Sequence, residues 1–146
     1  MTGQSLTQWH ANGPRKHNVL PALKIGLTMP RELLYHRIAH RVRSMVEAGW
    51  ADEVATLLEA GYESAMPAFQ AIGYRQLARY VQGVWSLDEA IAETVQATRR
   101  YARRQLTWFR RDGKICWFTG GVGKERLPGI LDRVRSFLSG RSNDPT

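Results

Sequence analysis

The chain has 146 residues, which is enough for one hydrophobic core but not for two independent ones. Its 21 lysines and arginines exceed its 13 acidic residues, and the formal net charge of +8 favours a polyanionic partner. A single cysteine, Cys116, excludes a disulfide within the chain, and no apolar run approaches the roughly 20 residues that span a bilayer. The first residues lack the pattern of a secretory signal, so we expect a cytoplasmic protein that does not enter a membrane.

The first half of the chain alternates a short apolar run with helical patterns. The predicted elements, in order, are an irregular lead-in at 1–22, a buried strand at Leu23–Leu27, a helix capped by Thr28 and ending at Gly49, and a helix from Asp52 and Glu53 to Gly61. Pro30 and Glu32 suit the first turn of the earlier helix, because proline needs no amide partner there and an acid suits the helix dipole.

The second half is predicted to be helical except for one strand. Its predicted elements are a short helix from Gly73 to about Val81 closed by Gly83, a long helix opened by a Ser86/Glu89 capping box, a turn at Asp112–Gly113, a buried strand at Ile115–Phe118, a last helix over about Pro128–Leu138 and a disordered tail at 139–146. Two isolated five-residue strands leave their edges unpaired, so we expect their sheet partners to lie outside this polypeptide.

The most informative stretch is Thr98–Arg111, which contains six arginines, three aromatic residues and no acid. At 100° per residue, one narrow stripe of the long helix is predicted to face the core: Ile91, Val95, Thr98, Ala102, Leu106 and Phe109. The arginines lie beside and behind that stripe, while Tyr101 and Trp108 share another flank. Guanidinium groups bind phosphate in a bidentate manner, so this run predicts a nucleic-acid surface. The alternative is a basic helix that is only solvated.

Two sequence blocks at a characteristic separation carry a family resemblance. They are Ala71-Ile72-Gly73-Tyr74-Arg75-Gln76 and Thr98–Arg110, and further matching positions run from Arg41-Val42 through Asp52-Glu53-Val54 to Ser86–Ala90. Over about Thr2 to Trp117 the chain resembles the C-terminal half of bacterial tRNA dimethylallyltransferases. The implied fold class is mostly α with two short strands, as the C-terminal portion (23–138) of a P-loop-like α/β prenyltransferase fold whose N-terminal P-loop part is absent.

The resemblance also implies an activity and its partners. The family transfers a dimethylallyl group from dimethylallyl diphosphate to N6 of the adenosine just 3′ of a tRNA anticodon, and the complete enzyme uses Mg²⁺. Two stretches are implied to contact the anticodon stem-loop of the tRNA: Gln70, Ala71, Ile72, Gly73, Tyr74 and Arg75, and then Arg103, Arg104, Gln105, Leu106, Thr107, Trp108, Phe109 and Arg110. A displaced adenine needs stacking rings and hydrogen-bonding groups, which are present in both stretches.

Arg37 and Arg41 are candidates for binding the diphosphate. They lie one helical turn apart beside the apolar seam of the first long helix, and loss of diphosphate builds negative charge that fixed cations stabilise. The resemblance implicates an arginine of this helix without indicating which of the two. The alternative is an arginine pair that serves a packed interface.

The chain departs from the family pattern in one large respect. The family's phosphate-binding loop, Gly-Pro-Thr-x-x-Gly-Lys-Ser/Thr, and its Asp-Ser-x-Gln-x-Tyr segment with the general base do not occur in the 146 residues. Gly120–Lys124 is not a substitute, because Phe118 replaces the first glycine and Glu125 replaces the Ser/Thr. We therefore expect a truncated gene product or part of a longer, monomeric enzyme, without activity or bound metal by itself.

The alternative to an enzyme is a protein that only binds nucleic acid. A noncatalytic basic helical module could bind RNA or DNA, for example through a helix-turn-helix around Gly49. Asp52 and Glu53 stand where such a motif places its base-reading residues and would repel phosphate. His36 and His40 have a spacing compatible with metal binding, but no further ligand pattern accompanies them.

Overall fold

The computed structural model describes residues 21–120 and 126–141. Within these ranges the elements are the strand β1 (Lys24–Thr28), the helices α1 (Arg31–Glu47) and α2 (Trp50–Glu59), a 3₁₀ turn (Pro67–Gln70), the helices α3 (Tyr74–Val81) and α4 (Leu87–Phe109), the strand β2 (Ile115–Thr119) and the helix α5 (Leu127–Arg141). The predicted fold class, mostly helical with two short strands, is confirmed.

The two strands pair with each other and form a parallel sheet. Lys24 lies opposite Ile115 and Thr28 opposite Thr119, and all of α1 to α4 lies in the connection between the strands. The expectation of two isolated strands was therefore wrong, because the helical segment between them brings β2 alongside β1. Gly26 allows close contact across the pair: a Cβ there would lie 2.5 Å from the Trp117 ring. Within the described ranges, the sheet has no third strand.

Glycines end the first two helices as predicted. The φ angles of Gly49 and Gly61 are 98° and 88°, in the left-handed region that glycine enters without a steric cost. The predicted cap at Thr28 was wrong, because Thr28 is the last residue of β1. Helix α1 begins at Arg31 after Pro30, and no side chain caps it; the Pro30 carbonyl accepts the Leu34 amide at 3.0 Å.

The core consists of two clusters joined by α4. In the first, α2, the 3₁₀ turn, α3 and the start of α4 bury an apolar set: Val54, Phe69, Leu77, Ala78 and Ala90. In the second, α1 packs on the middle of α4 through Ile38, Val42 and Val95. Helix α4 therefore holds the helical region together, and its N-terminal half is enclosed from two directions.

The predicted core stripe of α4 is only partly correct. Val95 is buried, but Phe109 at the end of the stripe is 40% exposed, and Thr94 and Ala97 outside the stripe are buried. Near its start α4 contacts both α1 and α3, so a wide arc is covered there; its last turns lack these neighbours.

The last helix extends beyond its predicted end. Ser139 and Gly140, assigned to a disordered tail at 139–146, belong to α5, while 142–146 and the predicted lead-in up to residue 20 lie outside the described residues. None of the described helices is both long and apolar enough to cross a membrane.

Candidate nucleic-acid interface

The C-terminal half of α4 presents arginines to solvent. Arg103, Arg104 and Arg110 are exposed, and in the described part of the chain no carboxylate lies within 4.0 Å of them. Arg100 is the exception on this surface, with its Nη2 at 4.0 Å from Oε2 of Glu93. These three guanidinium groups are thus not engaged by internal ion pairs and are available for an external anion.

Exposed aromatic rings accompany these arginines. Trp108 is 67% exposed and meets Phe109 edge to face, with ring centroids 4.8 Å apart and an interplanar angle of 81°. The guanidinium of Arg104 lies 5.9 Å from the centroid of the Tyr101 ring. An exposed aromatic ring leaves apolar surface in contact with water, so a base that stacks on the ring and covers it is favourable.

A cleft separates the end of α4 from the sheet. It has a volume of about 560 Å³ and is lined mainly by apolar side chains, among them Leu27, Leu34, Leu106, Phe109 and Trp117. Gln105 adds an amide to this lining. The structure thus divides the second predicted stretch: Gln105, Leu106 and Phe109 border the cleft, while the arginines and Trp108 are exposed to solvent.

The other predicted stretch, Gln70–Arg75, links the 3₁₀ turn to α3. Gln70, Ala71 and Arg75 are exposed, whereas Gly73 is buried and Tyr74 is half-buried. The Tyr74 hydroxyl donates a hydrogen bond of 2.5 Å to Oε1 of Glu53, and this bond is the largest cause that raises the pKa of Tyr74. The stretch therefore combines a solvent-facing edge with an internal anchor.

The two predicted stretches lie at different places along α4. Helix α3 packs on the first turn of α4 at Ala90, whereas Arg103 lies in the C-terminal half of α4. No hydrogen bond or ion pair joins the two stretches in the described ranges.

The predicted diphosphate ligands lie away from the cleft beside the sheet. Arg37 and Arg41 are exposed on α1, one turn apart, and neither lines that cleft. In the described part of the chain neither forms an ion pair, so the alternative of a pair bonded at a packed interface receives no support from these contacts.

The family described as IPP transferase matches residues 1–112. The chain belongs to this family. The tRNA dimethylallyltransferase of Heliobacterium modesticaldum is 39% identical over 142 residues, which are 96% of this chain and 44% of that protein. The tRNA dimethylallyltransferase 1 of Syntrophotalea carbinolica is 53% identical over 118 residues, or 80% of this chain and 36% of that protein. These matches confirm the resemblance carried by the two sequence blocks.

The solved structures agree with this assignment. The crystal structure of the full-length tRNA isopentenylpyrophosphate transferase from Bacillus halodurans superimposes with a TM-score of 0.75 at 39% identity, covering 82% of this chain and 40% of that one. The chain thus spans less than half the length of the curated relatives it matches, and it corresponds to their C-terminal part.

Sequence reasoning misplaced one arginine of this chain. Arg99 was assigned to the basic surface, but it is half-buried and its guanidinium lies 4.8 Å from the centroid of the Tyr35 ring. Arg31 of the same helix lies 5.0 Å from the same ring, so Tyr35 holds one guanidinium of α1 and links α1 to α4 through the cation–π contact with Arg99. Only the packing of α1 on α4, which a single helical wheel does not reveal, brings these side chains together.

Two residues that the sequence analysis did not assign to the RNA site support the Gln70–Arg75 stretch. Gln76 is 3% exposed, and its Oε1 accepts the Gly73 amide at 2.8 Å; Glu53 accepts the Tyr74 hydroxyl. A glutamine three residues after the glycine is a helix-start pattern that could have indicated the first contact.

Metal binding finds no site in the described residues. Across 21–120 and 126–141, no three His, Cys, Asp or Glu side chains lie close enough together to hold an ion. The described residues therefore contain no cluster of three such ligands for the Mg²⁺ that the family resemblance implies. Cys116 is half-buried within β2, and of the rejected Gly120–Lys124 loop only Gly120 is described.

Proposed function

We propose that this chain provides the tRNA-binding surface, and part of the diphosphate-binding surface, of a tRNA dimethylallyltransferase. The complete reaction would transfer a dimethylallyl group from dimethylallyl diphosphate to N6 of the adenosine 3′ of the anticodon. The relatives named tRNA dimethylallyltransferase support the reaction class, and the surface of α4 supports the part assigned to this chain.

One observation carries the proposal: Arg103, Arg104 and Arg110 are exposed beside Trp108 without carboxylate partners in the described ranges. Neighbouring guanidinium groups repel one another, and phosphate groups of an RNA loop would relieve that repulsion through bidentate hydrogen bonds. A base displaced from its stack can in turn cover the Trp108 ring. The pattern therefore suits a single-stranded loop better than a regular duplex.

For the chemical step, we assign this chain a supporting part. The departing diphosphate gains negative charge as the allylic C–O bond breaks, and Arg37 and Arg41 on α1 are the proposed cations that stabilise it. The base that accepts the N6 proton and the ligands of Mg²⁺ would come from residues outside this sequence. We accordingly propose that the chain by itself binds RNA but does not turn over, and that the complete enzyme is monomeric and cytoplasmic.

The test is binding of an anticodon stem-loop RNA to the chain at several salt concentrations. We expect the double variant Arg103→Ala/Arg104→Ala to lose at least tenfold in affinity and to flatten the salt dependence by about 1.4 log units per log unit of salt, at about 0.7 for each lost phosphate contact. Arg133→Ala/Arg135→Ala on α5 removes the same charge elsewhere and serves as the control.

Two outcomes would contradict the proposal. Equal losses in the two double variants would mean that total charge, and not the surface of α4, determines the affinity. Equal binding of the stem-loop and a DNA hairpin of the same length would favour the noncatalytic nucleic-acid-binding module instead.

A further inference from the structure

Two side-chain acceptors outside the Gln70–Arg75 stretch bind its residues Gly73 and Tyr74. Gln76 accepts the amide of Gly73, and Glu53 on α2 accepts the hydroxyl of Tyr74. Neither Gln76 nor Glu53 belongs to the predicted RNA contacts. Each therefore has a structural relationship to the stretch that the proposed function leaves unexplained.

The Gln76 contact fixes a conformation that only glycine adopts easily. Gly73 has a φ of 100°, and a Cβ at this position would lie 1.8 Å from Cη2 of Trp50. Because Gln76 is buried, its Oε1 replaces water as the acceptor for the Gly73 amide. Trp50 on one side and Gln76 on the other thus determine where the chain turns into α3.

The Glu53 contact holds the next residue. The Tyr74 ring meets Trp50 at 5.8 Å and Phe69 at 6.3 Å, edge to face in both cases, and its hydroxyl is bonded to Glu53. Both the ring and the hydroxyl are therefore engaged within the protein. A Tyr74 side chain held in this way supports the stretch and leaves Gln70, Ala71 and Arg75 facing solvent.

We propose that Glu53 and Gln76 are positioning residues that preorganise the Gln70–Arg75 stretch for RNA. In this proposal Glu53 acts by holding Tyr74, and Tyr74 supports the stretch without touching the RNA. This inference rests on the proposed function, since it concerns the same RNA site. Its basis is that a flexible loop loses conformational entropy on binding, which a loop already held in place does not.

The negative charge of Glu53 allows a positioning role to be distinguished from a purely electrostatic effect on RNA binding. An exposed carboxylate near an RNA-binding stretch repels phosphate, so on electrostatic grounds alone its removal strengthens RNA binding. Positioning has the opposite consequence, because removal of Glu53 frees Tyr74 and loosens the stretch. The direction of the effect of one substitution therefore distinguishes the two.

The experiment measures the Kd of the anticodon stem-loop at fixed salt for variants of the full chain. We expect Glu53→Ala to bind about three- to tenfold more weakly, and Glu53→Gln, which keeps an oxygen acceptor for the hydroxyl, to bind as tightly as the parent chain or more tightly. Asp52→Ala is the matched control, an exposed acid of the same helical turn whose carboxylate forms no hydrogen bond or ion pair in the described residues, and we expect no loss. Thermal unfolding of each variant confirms that it is folded.

A second variant completes the test. Tyr74→Phe is expected to match the loss in Glu53→Ala, and the double variant is expected to lose no more than either alone, because both remove one hydrogen bond. Additive losses, or tighter binding by Glu53→Ala, would overturn the inference. The proposed function would still stand in that case if the parent chain bound the stem-loop and the binding depended on Arg103 and Arg104. Failure of the parent chain to bind the stem-loop would overturn both.

Discussion

The Nζ of Lys24 lies 2.6 Å from Oδ2 of Asp112, which joins the first residue of β1 to the turn that precedes β2. The other oxygen of the same carboxylate accepts the amide of Lys114 at 3.0 Å. One aspartate thus closes the turn after α4 and links it to the neighbouring strand.

This relationship predicts a dependence of stability on pH. The hydrogen bond from Lys24, followed by that from the Lys114 amide, lowers the pKa of Asp112 below its ordinary value. The folded state therefore favours the ionised form, and the stabilisation is present above the unfolded pKa of aspartate and lost as pH falls through the lower, folded pKa. We expect Asp112→Asn to lower the thermal midpoint at pH 7 but to have little effect in strong acid. A difference from the parent chain that stays constant between neutral and acidic pH would contradict this.

The second prediction separates backbone strain from steric overlap. Gly73→Ala is expected to destabilise the chain by about 3 kcal/mol or more, because a positive φ and the Trp50 ring both oppose a Cβ. Gly61→Ala has a similar φ of 88° but no atom within 4 Å of the added methyl, so its cost should be about 1 kcal/mol. Urea unfolding of the two variants measures the difference, and equal losses would show that Trp50 moves aside.

The third prediction concerns the start of α4. The Ser86 hydroxyl accepts the Glu89 amide at 3.2 Å, while the Glu89 carboxylate accepts the Ser86 amide at 2.7 Å. Ser86→Ala should cost about 1 kcal/mol of stability, as other helix caps do, and Ser86→Asp should restore most of it. Chemical denaturation followed by circular dichroism provides the measurement. No loss in the alanine variant would mean that packing alone determines where α4 begins.

The fourth prediction assigns Trp108 a role in binding and not in folding. Since the side chain is 67% exposed, Trp108→Ala should change stability by less than about 0.5 kcal/mol. If a base stacks on the ring, affinity for the anticodon stem-loop should fall by about 1–3 kcal/mol, and Trp108→Phe should retain part of it. Tyr62→Ala, which removes another exposed ring outside both predicted stretches, is the control. Equal effects of the two alanine variants would exclude a specific stack.

Local signals in the sequence identified most elements of this fold. Gly49 and Gly61 ended helices as predicted, and the Ser86/Glu89 capping box opened α4. These features depend on backbone conformation and hydrogen bonds within a few residues, which a sequence pattern contains. The misplaced cap at Thr28 shows the limit, because pairing with β2 extended β1 through a residue that is also suited to begin a helix.

Contacts between distant elements could not be predicted in the same way. The position of Arg99 against Tyr35 depends on how α1 crosses α4, and the exposure of Phe109 depends on which elements cover the end of that helix. Glu53 and Tyr74 lie 21 residues apart on different helices, so no periodic pattern connects them. The candidate RNA residues themselves came from composition and family resemblance, and their contacts with RNA stay a prediction.

The pairing of β1 with β2 has a kinetic consequence. Partners in this ladder are about ninety residues apart in sequence, so closing it costs far more chain entropy than docking neighbouring helices. We expect the helical region to assemble early and the ladder to close late. Substitutions at Gly26 or Trp117 should then accelerate unfolding while scarcely slowing refolding, whereas substitutions at Leu77 should affect both rates.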